Sequence, residues 1–408
     1  MEMEMGARQM AGFKPFYQFT APTRVIAGEG LIDSAGFEFT KENASRPMIV
    51  TDGVIRETGL VDRVAAGVED GGLEIAGVFD DVPQDSDTEV VERLAAAANE
   101  AGADSFLAVG GGSVMDTAKA ANVVFTHGGT VRDWEGFMTL PRDRDGMGRP
   151  EPLAPLAAIP TTAGTGSEAS FAAVVKERAE NIKLEIGDMA LFPELAILDP
   201  VATETLPPAI AAATGMDALT HAIEGYVSSE WNQHTDAFAL HAIRLIRDNL
   251  ERAVTDTSDT EARGNMLAAA SMAIAPSGSG AIGITHSMSH PCGGHFEVPH
   301  GVANAINLPW VIEFNAGGGE DIADRYRAIS EVLDVDAAGD GAAVGSALAE
   351  HVRGLTSRLG LPGRLSEVGV PEEGIPDLVE GALGDGCTLV NPREPTEEDF
   401  TELYRRAL

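Results

Sequence analysis

A change of grammar near residue 205 constrains this chain more than any other feature. Before it, short apolar stretches read as strands at residues 23–27, 47–51, 73–79, 105–109, 156–160, 171–176, 183–186 and 195–198. Helical patterns at 59–70, 85–101 and 117–125 lie between them. Alternating strand and helix is the pattern of a parallel sheet covered by helices. After it, the apolar runs are long and Ala-rich, at 209–227, 235–254, 260–275, 321–332, 341–359, 375–383 and 397–407, with no convincing strand. The expected division is an α/β domain over residues 1–205 and an all-helical domain over 206–408. Residues 128–152, polar and rich in Gly, Arg and Asp, read as an excursion loop.

Charge narrows the partners. The 408 residues carry a formal net charge of −36, spread along the chain. Phosphate neutralisation needs basic surface, so nucleic acid is excluded, and anionic membranes equally. No run of about eighteen apolar residues offers a transmembrane helix. The acidic N-terminus, Met1-Glu-Met-Glu-Met5, lacks the order of a signal peptide and reads as a short flexible tail. Two cysteines, Cys292 and Cys387, make no disulfide framework. The expected setting is the cytoplasm. Lysine is confined to Lys14, Lys41, Lys119, Lys176 and Lys183, and the acidic balance resembles proteins from salt-loving organisms.

The segment Val109-Gly-Gly-Gly-Ser-Val-Met-Asp116 joins an apolar strand to a helix. Gly110, Gly111 and Gly112 let backbone amides approach a ligand, and the helix N-terminus beyond offers unpaired N–H groups. That combination suits a pyrophosphate. The other reading is a glycine-rich turn capped by Ser113. It is neither GxGxxG nor a Walker A loop. Thr161, Thr162 and Thr165, at the end of a later strand, add hydroxyls suited to phosphate or ribose. Asp52 ends the second strand, where a carboxylate binds ribose hydroxyls and repels a 2′-phosphate. Its alternative role is turn formation.

Four of the nine histidines, His286, His290, His295 and His300, fall within fifteen residues. His286 and His290 share a face if the segment is helical. The cluster reads as a metal or catalytic site, or as a polar helix end. In the helical half, Asp217 and His221 form an i, i+4 pair inside an apolar helix. A buried Asp is costly unless paired or metal-bound. A simple Asp–His hydrogen bond is the other reading.

Together Gly110-Gly-Gly-Ser-Val-Met-Asp116, Pro160-Thr-Thr-Ala-Gly-Thr-Gly-Ser-Glu168, Thr214-Gly-Met-Asp-Ala-Leu-Thr-His-Ala-Ile-Glu224, His286-Ser-Met-Ser-His290 and Pro299-His-Gly-Val-Ala-Asn304 resemble the iron-containing (group III) alcohol dehydrogenases. Within that family the chain resembles the lactaldehyde and 1,2-propanediol oxidoreductase branch. The match runs from about Thr23 to the C-terminal segment beginning Asn391-Pro-Arg. The resemblance implies an N-terminal Rossmann-like dinucleotide-binding domain and an all-α C-terminal metal-binding domain, the dehydroquinate synthase-like architecture. It implies small alcohol, diol, aldehyde or ketone substrates, NAD with NADP as alternative, Fe²⁺ with Zn²⁺ as alternative, and a homodimer or higher homo-oligomer. Implied metal ligands are Asp217, His221, His286 and His300. Implied cofactor contacts are Asp52, Gly111, Gly112, Ser113, Asp116, Thr161, Thr162 and Lys183. The alcohol proton is expected to leave towards His290 or through ribose hydroxyls and water, and His295 reads as a surface bystander or an auxiliary site residue. A hydroxyacid–oxoacid transhydrogenase and a maleylacetate-type reductase are sibling readings, and the complete ligand set disfavours a metal-free reductase. A non-catalytic metal- or nucleotide-binding protein is the reading from another class. Residues 277–285 depart from the usual Asn-Ala-hydrophobic-Gly pattern before His286.

Overall fold

The structure is a computed structural model that describes residues 12, 14, 16–143, 148–180, 182–275 and 282–408. The acidic tail at residues 1–5 and most of the departing stretch, residues 277–281, lie outside these. The chain forms two compact units. One comprises Ala21–Leu206 with Thr257–Ser271. The other comprises the N-terminal residues through Thr20, Pro207–Asp256 and Met272–Leu408. The division therefore does not fall at one point in the sequence. Residues 257–271, read above as part of the helical half, group with the α/β unit, where the guanidinium of Arg263 lies 3.9 Å from Glu204.

The α/β unit is built on a six-stranded, wholly parallel sheet. Its strands are β1 (Arg24–Ala27), β2 (Pro47–Val50), β3 (Gly77–Phe79), β4 (Ser105–Gly110), β6 (Leu156–Pro160) and β9 (Leu195–Leu198), in the order β1-β9-β6-β4-β2-β3. Strand residues alternate between two apolar clusters. Met48, Val50, Phe106 and Ala108 pack on one face, and Ile49, Leu107, Val109 and Ile159 on the other. Burial on both faces is why these strands read as continuous apolar runs. The expected strand at 73–79 shrinks to its last three residues, because Leu73 to Ala76 lie before the pairing with β2 begins. From β2 the chain moves outward to β3, returns to β4 on the other side, then continues to β6 and β9. The order thus reverses between β2 and β4, the point where open parallel sheets bind ligands beyond their carboxyl ends.

The strands expected near 171–176 and 183–186 do not join this sheet. Ala172–Glu177 (β7) and Ile182–Gly187 (β8) pair antiparallel, and Gly136–Phe137 (β5) adds to β8. The excursion loop therefore contributes a strand to a small second sheet.

Lys119 pins that hairpin from beneath. It sits on the helix Gly112–His127, completely buried, and its Nζ lies 2.9–3.0 Å from four acceptors that share its three N–H donors: Ser167 Oγ, Ser170 Oγ and the carbonyls of Ser170 and Ala172. Glu168 is buried beside it, and its Oε1 accepts no hydrogen bond among the described residues. Burial pushes the Glu168 carboxyl up to about 7 against the pull of Lys119, and pushes Lys119 down to about 8. A carboxyl raised on folding contributes fully below its unfolded value and loses that contribution as pH climbs through the folded one. Glu168→Gln should therefore melt above the wild type at about pH 8 and together with it below about pH 4.5. A Glu168→Gln protein that melts lower at alkaline pH would show that the ionised pair with Lys119 stabilises the fold.

The helical unit packs α6 (Pro208–Val227), α7 (Gln233–Thr255), α9 (Ile284–Phe296), α10 (His300–Ala316), α11 (Glu320–Val332), α12 (Gly341–Arg358), α13 (Ile375–Gly384) and α14 (Glu397–Ala407). A further helix, α8 (Thr260–Ile274), spans residues grouped mainly with the α/β unit. Ile284, Met288, Cys292, Ile306, Leu378, Phe400 and Tyr404 share one apolar core. No described helix is long and apolar enough to cross a membrane.

Candidate metal centre and nucleotide loop

Three helices of the helical unit bring their polar residues to one point. Asp217, His221 and Glu224 follow each other at i, i+4 and i+7 on one side of α6, all buried. His286 lies in the first turn of α9, and His300 opens α10. Between those two helices the chain turns through Glu297, whose φ of 56° places it in the left-handed region. Gly301 lets α10 meet α6 closely: a Cβ there would lie 2.2 Å from the carbonyl oxygen of Ala213.

Asp217 Oδ1 is the centre of the cluster. It lies 3.9 Å from His221 Nδ1, 3.7 Å from His286 Nε2 and 3.6 Å from His300 Nε2. Donor atoms of Asp217, His221 and His286 lie within 4.8 Å of one another. Burial would raise the Asp217 carboxyl, but His221, His286 and His300 outweigh it and hold the group well below the usual carboxylate range. Burial would lower His286, but Glu224 and Asp217 outweigh it and hold the ring up to about 10. Two buried carboxylates thus draw positive charge into the site, of the kind that protonated imidazoles or a divalent cation would supply.

Asn304 sharpens that fit. Its Nδ2 lies 2.8 Å from Asp217 Oδ1, 3.2 Å from His300 Nε2 and 3.3 Å from His286 Nε2. Its buried Oδ1 accepts no hydrogen bond among the described residues. Asp217, Asn304 and the ring nitrogens of His286 and His300 thus crowd one point, where a cation would find its donors. One carboxylate with three imidazoles is a donor set for Fe²⁺ or Zn²⁺.

Glu224 orients His286. One carboxylate takes three hydrogen bonds from the start of α9: Gly283 N at 2.8 Å, Thr285 N at 2.6 Å and His286 Nδ1 at 2.5 Å. It caps the helix and directs Nε2 of the ring towards Asp217. His290 is held in the same way: Nδ1 lies 2.6 Å from Asp385 Oδ2, and its ring stacks on His300 at 5.3 Å. His295 is exposed in the last turn of α9, against Phe296. Glu224, Asn304 and Asp385 are absent from the expected site. Glu224 was detectable at i+7 from Asp217. Asp385, 95 positions beyond His290, carried no local signal.

In the α/β unit the expected loop residues assemble at the sheet's switch point. Gly110 ends β4, and Gly111 is the extended N-cap of the helix α5 (Gly112–His127), which begins earlier than residue 117. Thr161 N donates to the Gly110 carbonyl at 3.0 Å. A Cβ on Gly111 would touch Thr162, and one on Gly112 would lie 2.7 Å from Thr165 Cγ2. The glycine loop and the threonine loop therefore face each other. Asp52, beyond the neighbouring β2, caps a short helix by accepting from Ile55 N at 2.8 Å. Ser113 Oγ bonds to the Gln84 carbonyl and makes no cap. Asp116 uses both oxygens internally, towards Ser167 Oγ at 2.8 Å and Val174 N at 3.2 Å. Lys183 is exposed on β8, and its charge acts on Asp116.

Comparison with known proteins agrees with both halves of this description. Residues 22–200 match the iron-containing alcohol dehydrogenase family, and residues 211–408 match the C-terminal part of the Fe-containing alcohol dehydrogenase family. The chain belongs to this family and is an oxidoreductase of alcohols that uses a nicotinamide cofactor. It is 35% identical to the NAD-dependent methanol dehydrogenase of Bacillus methanolicus, over 96% of this chain and 99% of that protein. It is 36% identical to the lactaldehyde reductase of Escherichia coli K12, over 93% and 96%. Among solved structures, a 1,3-propanediol oxidoreductase superposes with a TM-score of 0.90 at 32% identity, over 96% of this chain and all of that one.

The Glu224 arrangement has a direct consequence. Glu224→Gln places an amide N–H against either His286 Nδ1 or the helix start. Metal affinity should fall roughly 10–100-fold, as for other outer partners of metal-bound imidazoles. Competition with a chromophoric chelator reads it, and an affinity equal to the wild type would remove Glu224 from the site.

Proposed function

We propose that Asp217, His221, His286 and His300 hold a divalent metal, Fe²⁺ in the first instance with Zn²⁺ as alternative, and that His290 handles the alcohol proton. The substrates are small alcohols or diols and the corresponding aldehydes or ketones. The nucleotide is NAD rather than NADP, held at Gly110, Gly111, Gly112 and Ser113 with Thr161, Thr162, Thr165, Asp116 and Lys183 around them. Asp52, a carboxylate at the end of β2, supports NAD because it would repel a 2′-phosphate. A cytoplasmic homodimer or larger homo-oligomer adapted to high salt completes the proposal, the last part supported by the net charge of −36.

Bound among these donors, a divalent cation supplies Lewis acidity that makes an alcohol hydroxyl acidic near neutral pH. Everything else falls to side chains. Asp217 stays anionic and balances the cation's charge. Glu224 keeps Nε2 of His286 facing inward, and Asn304 binds Asp217 Oδ1. Asp385 accepts from His290 Nδ1, which leaves Nε2 with its lone pair. That lone pair is the acceptor for the alcohol proton during oxidation, and the same nitrogen returns it during reduction. The backbone amides at the start of α5 orient the pyrophosphate.

The observation that carries this reading is the convergence of one carboxylate and three imidazoles around Asp217 Oδ1. His300→Ala removes one of those donors at the least buried edge of the cluster. Bound metal and NAD-dependent turnover should be lost together, with the metal-free protein still melting in one cooperative transition. Full metal content with full turnover in His300→Ala would refute the ligand assignment.

A further inference from the structure

A second group of potential ligands stands beside the first. His290, Asp385 and Cys387 each offer one donor atom, and the three atoms lie within 4.8 Å of one another. All three residues are partly exposed, so an ion can reach them from solvent. This set differs in kind from the first: it contains a thiol, whereas the first has only oxygen and nitrogen donors. Thiolates select Zn²⁺ and its heavier, softer relatives.

The hydrogen bonding shows how such an ion would fit. Asp385 divides its oxygens. Oδ1 accepts from Cys387 N at 2.9 Å and from Ser287 Oγ at 3.3 Å, which fixes the short turn Gly386–Val390. Oδ2 accepts from His290 Nδ1 at 2.6 Å. The Cys387 thiol also hydrogen-bonds to this carboxylate. An imidazole proton and a thiol proton are therefore aimed at one carboxylate. A single cation placed there replaces both contacts while Oδ1 keeps its backbone bond.

We propose that His290, Asp385 and Cys387 form a second divalent-cation site for thiophilic ions of the Zn²⁺ and Cd²⁺ class, and that its occupation stops turnover. Three donors with an open fourth position suit a tetrahedral ion. On binding, the thiol proton leaves to solvent. The imidazole keeps its one proton, which moves from Nδ1 to Nε2 as Nδ1 becomes a ligand. Nε2 then donates and no longer accepts. The inhibitory half rests on the reading of His290 as proton acceptor. The binding half rests on the three donors alone.

The test uses the iron-loaded enzyme and Cd²⁺ as the probe. Cd²⁺ should give the ultraviolet absorption of a cadmium–thiolate bond and inhibit alcohol oxidation while the iron content stays constant. Cys387→Ser, whose hydroxyl can still donate to Asp385, should lose that absorption and, measured against its own cadmium-free rate, need at least about tenfold more Cd²⁺ for inhibition, since even outer-partner losses cost 10–100-fold in metal affinity. Cys292 is buried, and burial pushes its thiol up to about 12, so Cys292→Ala should behave as the wild type. Absorption unchanged in Cys387→Ser, or inhibition matched by loss of iron, would overturn the second site. Cys387-dependent absorption with turnover unaffected would leave the binding site standing and overturn His290 as the proton acceptor.

Discussion

The helical unit depends on one costly act, the burial of the Asp217 carboxylate. An ion of that size loses several kcal/mol of solvation in an apolar interior unless charge and hydrogen bonds replace it. Here the replacement is distributed over three helices: His221 from the same helix, His286 from a second, and His300 with Asn304 from a third. Each helix must then be held close. Gly301 permits the contact with α6, and Glu224 binds the first turn of α9. Asn391 reaches the same turn from near the C-terminus, 3.5 Å from Ile284 N, while exchanging hydrogen bonds with Asn315. The charge of the site and the crossing of the helices are one problem with one solution.

The α/β unit solves a related problem with the sign reversed. An ammonium, Lys119, is buried whole beneath the hairpin that faces the glycine helix, and four oxygens replace its water. Asp116 ties the same helix to the same hairpin. The glycine loop therefore rests on a rigid support, and its amides need no side chain of their own to stay in position. Ser113 and Asp116 also bond within the unit, to the Gln84 carbonyl and to Ser167 and Val174.

Much of this could be read in the residues. The change of grammar at residue 205 is real in terms of element type, because strands buried on both faces leave a different imprint from Ala-rich helices. Asp217 and His221 lay within one motif, and His286 and His300 in two motifs of one short histidine-rich stretch. The two helices that carry the histidine cluster were harder to see. Pro291 and Pro309 stand inside them, and Gly293, Gly294 and Gly301 dilute their apolar period. Local propensity argued against helices that tertiary packing and the site impose. Strands β7 and β8 had the right residues, but nothing local says which sheet they join. Asp385 is the clearest case of what spacing cannot reach, since its partner is fixed only by the packing of α13 and α14 against α9.

The central claim is that four side chains, Asp217, His221, His286 and His300, define one cation position. Anomalous X-ray scattering from crystals of the iron-loaded protein, collected on both sides of the iron absorption edge, tests it most directly. The account requires one strong peak per chain, within coordination distance of Asp217 and all three imidazoles, about 2.0–2.2 Å away. A peak elsewhere, or iron held by fewer than these four residues, would contradict it.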